Sequence, residues 1–174
     1  MISAMTEPAD PSSIQIPLDD LSATEALAAR LAALVVAGDI IGLAGDLGAG
    51  KTAFARAFIG ARLGVTEVPS PTFTLVQIYE NSSAGEISDV PIWHFDLYRL
   101  AGGEEIFELG IEDAFDLAIC LIEWPEKMAG YGPEAWLELR LNPGGQGENS
   151  RRATLTPHGA RAAQLMQQLV APDV

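Results

Sequence analysis

The run Gly45-Asp46-Leu47-Gly48-Ala49-Gly50-Lys51-Thr52 has the residue types and spacing of a loop that grips phosphate, G-x-x-x-x-G-K-[ST]. Glycines let the backbone curl until successive N–H groups converge on phosphate oxygens. A helix opening near Lys51 aims the positive end of its dipole at the same anion. Lys51 brings a full positive charge to the β and γ phosphates, and the Thr52 hydroxyl is a ligand for Mg2+. The pattern predicts a site for a nucleoside triphosphate with magnesium, and ATP hydrolysis as its chemistry.

Such a site also needs an acidic group at the end of a neighbouring strand. Glu123 closes the apolar run Ala118 to Ile122, and in an open α/β sheet it would face the phosphate loop across the ligand crevice. The plain alternative is an ordinary strand-end carboxylate in water. Asp96 is the other candidate. In Trp93-His-Phe-Asp-Leu-Tyr-Arg99 the period of two puts His94, Asp96 and Tyr98 on one face and Trp93, Phe95 and Leu97 on the other. The apolar triplet reads as core. The polar triplet is either a solvated face or a place where Asp96 holds a metal-bound water or orients the attacking water. Ser70-Pro-Thr-Phe-Thr74 is either a γ-phosphate-sensing switch or a proline turn leading into a strand.

Other chemistries lack residues. One cysteine and two histidines, His94 and His158, give no zinc-ligand spacing. No nucleophile elbow of a serine hydrolase is present. No N-K-x-D sequence exists to read guanine, which disfavours a GTPase. A small-molecule or nucleotide kinase usually carries an arginine-bearing lid, whereas the eight arginines here are scattered. A nucleotide-sensing interaction module without hydrolysis is a third class.

The elements that must position these groups are legible from periodicity. Residues 1–13 read as a tail, and 14–174 as one domain with a mixed sheet flanked by helices, a P-loop NTPase-like α/β fold. Ser13 to Leu18 predicts an edge strand, and Ser22 to Glu25 a capping box opening a helix that Gly38 ends. Ile40 to Ala44 is a buried strand running into the phosphate loop. Phe54 and Phe58 mark the helix after it, with Gly64 just beyond its end. Residues 72–79 and 90–98 predict a long hairpin, and 103–116 one or two short helices. Trp136 to Leu141 and Ala153 to Thr156 predict an antiparallel pair, and a last helix runs from about Gly159 to Val170.

A net charge of −14, with Lys51 and Lys127 as the only lysines, argues against direct tight binding of nucleic acid. It suits a chain steered to a basic protein surface. The apolar stretches fall short of the roughly 18 residues of a membrane span. The first residues lack the pattern of a signal peptide, and the lone Cys120 fits a reduced cytoplasmic setting.

Taken in order, GDLGAGKT, SPTFTL, HFDLYR and LIEWPE resemble the TsaE family, the ATPase subunit of the bacterial machinery that makes threonylcarbamoyladenosine in tRNA. The likeness covers roughly Ile14 to Leu141 and weakens through Arg151 and Arg152. It implies a small Mg2+-dependent ATPase, weak alone and stimulated by its partners TsaD and TsaB, with tRNA held only indirectly through the complex. The family's magnesium ligands carry over to Thr52 and Glu123, its essential aspartate to Asp96, and Trp124 would lie near the nucleotide. Catalysis is thereby assigned to Lys51, Asp96 and Glu123. Nucleotide binding falls to Asp46, Leu47, Gly48, Ala49, Gly50, Lys51, Thr52, Ala53 and Asp96. Ala53 stands where many members have a second threonine, which removes a hydroxyl but keeps a backbone N–H for phosphate.

Overall fold

Five consecutive buried residues in each of Ile40–Ala44 and Ile119–Glu123 require a sheet covered on both faces. The computed structural model, which describes residues 12–69, 71, 73–80 and 90–172, shows such a sheet. In chain order its elements are β1 (Ile14–Leu18), α1 (Leu21–Leu34), β2 (Ile40–Ala44), α2 (Lys51–Leu63), β3 (Val76–Tyr79) and β4 (Ile92–Asp96). A 3-10 segment, Gly103–Leu109, then leads to α3 (Ile111–Leu117), β5 (Ile119–Glu123) and a 3-10 turn, Pro125–Met128. β6 (Trp136–Pro143), β7 (Arg151–His158) and α4 (Ala160–Val170) complete the fold.

The seven strands lie in the order β1-β7-β6-β2-β5-β4-β3. β6, β2, β5 and β4 run parallel, while β1 and β7 on one side and β3 on the other add antiparallel edges. The mixed α/β sheet flanked by helices matches the expected architecture.

Alternate residues of each central strand serve two cores. Ile41, Leu43, Ile92, Leu121 and Leu139 pack against α1, α2 and α4 through Leu31, Phe54, Phe58 and Leu165. Ile40, Phe95, Cys120 and Ile122 pack on the other side with Ile106, Ile111 and Ala114. α4 is further tied down by Arg161, whose guanidinium grips the buried Asp39 carboxylate at 2.6 and 2.8 Å. Asp39 also accepts the Val36 N–H at 2.9 Å, closing the turn between α1 and β2.

Several expected boundaries move. The cap of α1 is Asp20, whose side chain accepts the Ala23 N–H at 2.8 Å, so the helix starts ahead of the Ser22–Glu25 box. α1 stops at Leu34, and Gly38 instead serves the next turn at φ +89°, donating its N–H to Ala118 O. The hairpin is shorter than the alternation suggested. Leu75 sits at φ +63° and its N–H goes to Pro71 O, a turn geometry that delays β3 until Val76. β4 ends at Asp96, so Tyr98 leaves the strand and is exposed. Residues 1–11 of the expected 1–13 tail and the expected loop over 81–89 lie outside the described residues, as do Ser70 and Thr72 of the candidate switch.

Candidate functional site

Three parallel strands end at one crevice. Register sets Leu43 of β2 beside Glu123 of β5, and Glu123 beside Asp96 of β4. The chain leaves β2 into the glycine loop and re-enters a helix at Lys51, so the N-terminus of α2 meets both carboxylates from above the strand ends. Crevices of this kind, at the carboxyl ends of strands, are where α/β sheets bind ligands.

Glycine is required where the loop turns. Gly45 lies at φ +136°, and a Cβ there would sit 2.5 Å from Leu141 O on the adjacent strand. Gly50, at φ +105°, is the N-cap of α2 and accepts the Phe54 N–H. Inside the curl the Lys51 ammonium is buried and donates to Gly45 O at 2.6 Å and Asp46 O at 2.8 Å. It also lies over the Trp124 ring, 3.9 Å from the centroid. Burial lowers the Lys51 pKa from the usual lysine value, while Glu123, Glu126, Asp96 and Asp46 pull it back up by their charge.

The Glu123 carboxylate is 2 % exposed and both its oxygens are engaged. Oε2 accepts the Thr52 hydroxyl at 2.9 Å, and Oε1 lies 2.8 Å from His94 Nε2. Asp96, also buried, accepts the Tyr98 N–H at 3.1 Å. The polar face of β4 is therefore not solvated: His94 and Asp96 are enclosed between the sheet and α2. Trp124 holds its left-handed φ of +60° with its N–H on Leu43 O and its ring tilted against Tyr98 at 4.9 Å. A bulky residue in that region stores about 1–3 kcal/mol, and here it sets a flat wall beside the ammonium.

Lys51, Thr52, Ala53, Asp96, Glu123 and Trp124 line one cleft of about 350 Å3, with Leu47, Gly48 and Gly50 along the loop side. That volume suits a small ligand. Asp46 and Ala49 instead line a neighbouring hollow of about 380 Å3 on the outer side of the loop. Among the described residues no three His, Cys, Asp or Glu side chains are grouped to hold a metal ion. The oxygen donors that would hold a hard cation such as Mg2+ at this cleft are the Thr52 hydroxyl and the Glu123 carboxylate. The donor set fits Mg2+ with a phosphate chain.

Two residues escaped the motif reading. His94 was visible only as a neighbour of Asp96 in the strand period; its link to Glu123 depends on strand order. Arg151, at the start of β7, donates Nε–H to Ala49 O at 2.8 Å and holds Glu148 O and Ser150 O through Nη1. It clamps the phosphate loop from outside, and no local pattern announces a contact with a loop a hundred residues earlier in the chain.

A model of the family described as Threonylcarbamoyl adenosine biosynthesis protein TsaE matches residues 18–153, which takes in the glycine loop, both carboxylates and Arg151. The chain belongs to the TsaE family. A TsaE protein of Bacillus subtilis is 35% identical over 152 residues, 86% of this chain and 89% of that protein. One of Rickettsia felis is 46% identical over 110 residues, 63% of this chain, and the match spans only 61% of that relative's length. Both are named tRNA threonylcarbamoyladenosine biosynthesis proteins. The crystal structure of Bacillus subtilis YdiB superposes with a TM-score of 0.69 at 30% identity, covering 90% of this chain and 93% of that one. The P-loop NTPase-like fold is common to this chain and that TsaE neighbour.

Proposed function

We propose that this chain binds ATP with Mg2+ and hydrolyses it to ADP and phosphate, in support of N6-threonylcarbamoyladenosine formation at position 37 of tRNA. The observation that carries the reading is the Thr52 hydroxyl donating to the buried Glu123 carboxylate directly beside the phosphate-loop lysine. Loop amides and Lys51 bind the triphosphate and stabilise the charge that develops on transfer. Mg2+, held by Thr52 and Glu123, would neutralise the β and γ oxygens. Asp96 orients the attacking water or the metal's water shell, and Trp124 closes the wall beside the ammonium.

Partners follow from the family's place in tRNA modification. We assign TsaD and TsaB as the cytoplasmic companions, with tRNA engaged through them and not by this acidic chain. No helix among the described residues is long and apolar enough to cross a membrane. The test is phosphate release by the chain alone, then with purified TsaB, TsaD and tRNA. Slow release alone and a large rise with partners supports the reading. Transfer of the γ-phosphate to an added acceptor would indicate a kinase, and binding without release in the full complex a nucleotide-sensing module.

A further inference from the structure

We propose that His94 is a positioning residue that orients the Glu123 carboxylate for magnesium, an inference that rests on the nucleotide reading above. His94 is wholly buried on β4, one strand over from Glu123, and faces α2 as Asp96 does. Its Nε2 lies 2.8 Å from Glu123 Oε1. Its other ring nitrogen, Nδ1, is buried and has no hydrogen-bond partner among the described residues.

A carboxylate oxygen facing a ring nitrogen at this distance accepts from it, so Nε2 is the donor side of the contact. Glu123 thereby has its two oxygens assigned different tasks. Oε1 is pinned by His94 from inside the sheet, and Oε2 is turned outward to Thr52.

The terminal torsion of a glutamate is intrinsically broad. Two donors on opposite oxygens remove that freedom before any ion arrives. Partners that hold a metal-ligating carboxylate in place typically carry about 10- to 100-fold in metal affinity. His94 is not itself a lining residue of the cleft, and its contact with that lining is the one to Glu123.

The test measures ATP affinity of the full chain by calorimetry, in EDTA and across a Mg2+ titration, for wild type and His94 variants. His94→Leu and His94→Asn both remove a donor that can reach Oε1, whereas His94→Gln places an amide N–H near the Nε2 position. The expected result is a Mg2+ requirement raised about 10- to 100-fold in the Leu and Asn variants, metal-free affinity close to wild type, and recovery in His94→Gln. Should His94→Leu fail to fold, the Asn and Gln variants carry the comparison. A wild-type Mg2+ requirement in the donor-free variants, or equal loss with and without metal, overturns the inference alone. No Mg2+-dependent binding by the wild-type chain overturns the nucleotide reading and this inference together.

Discussion

The Thr52 hydroxyl and the Glu123 carboxylate meet at 2.9 Å although 71 residues separate them in the chain. One opens the helix after the phosphate loop, and the other ends the strand beside it. The contact is the inner edge of the proposed magnesium site.

Removing the carboxylate should separate binding from turnover. Glu123→Ala is expected to lower phosphate release by the partner complex about 100-fold or more, while ATP still binds. Single-turnover phosphate assays beside calorimetric affinity check both halves, and normal turnover would refute the assignment. Lys51→Ala is expected to act earlier, weakening ATP binding about 10- to 100-fold through loss of a charge-assisted contact.

Arg151 acts on the loop and not on the chemistry. A trans peptide points its C=O and N–H in opposite directions. Holding Ala49 O outward therefore turns the Gly50 N–H inward, toward the phosphate cradle. Arg151→Ala is expected to weaken ATP binding by about tenfold with turnover of bound ATP little changed. An unaltered dissociation constant would show that the loop holds its shape unaided.

The Arg161–Asp39 pair tests stability apart from function. Arg161→Ala leaves Asp39, only 4 % exposed, without its cation. Losses of about 3–5 kcal/mol are usual for a fully buried pair. Because the guanidinium is 35 % exposed, solvent screening reduces the expectation to about 2 kcal/mol. Thermal melting should fall by about 4–8 °C, with ATP affinity retained.

Cys120 provides a pH-linked check on the core. Burial pushes its thiol from the usual 9.0 up to about 12, and its Sγ–H reaches Ala114 O. The raised value means the stabilising contribution is complete below pH 9.0 and is lost as pH rises toward about 12. At pH 8 an alkylating reagent should leave the native thiol unmodified and label it in concentrated guanidinium. Rapid labelling of the native chain would contradict the packing seen around β5.

The loop, its flanking strand and helix, and the two carboxylates were legible because each rests on local pattern: glycines with Lys51 and Thr52, Phe54 one turn from Phe58, Glu123 closing an apolar run. The failures share a cause. Asp20 displaced the Ser22–Glu25 box because either residue satisfies the chemistry of a cap, and the hydrophobic docking of Leu27 and Leu31 selects the start. The polar face of β4 stayed open between a solvated face and a site for Asp96, because alternation cannot report that helices cover both faces of a central strand. His94 and Arg151 acquire their tasks from strand order alone, which joins β4 to β5 and brings the β6–β7 loop over the glycines.

Calorimetric titration of Mg·ATP into the purified chain tests the phosphate cradle most directly. A saturable, one-to-one heat of binding that Lys51→Ala abolishes or severely weakens is the predicted result. No heat with the wild-type chain, alone or with TsaB and TsaD, would contradict it.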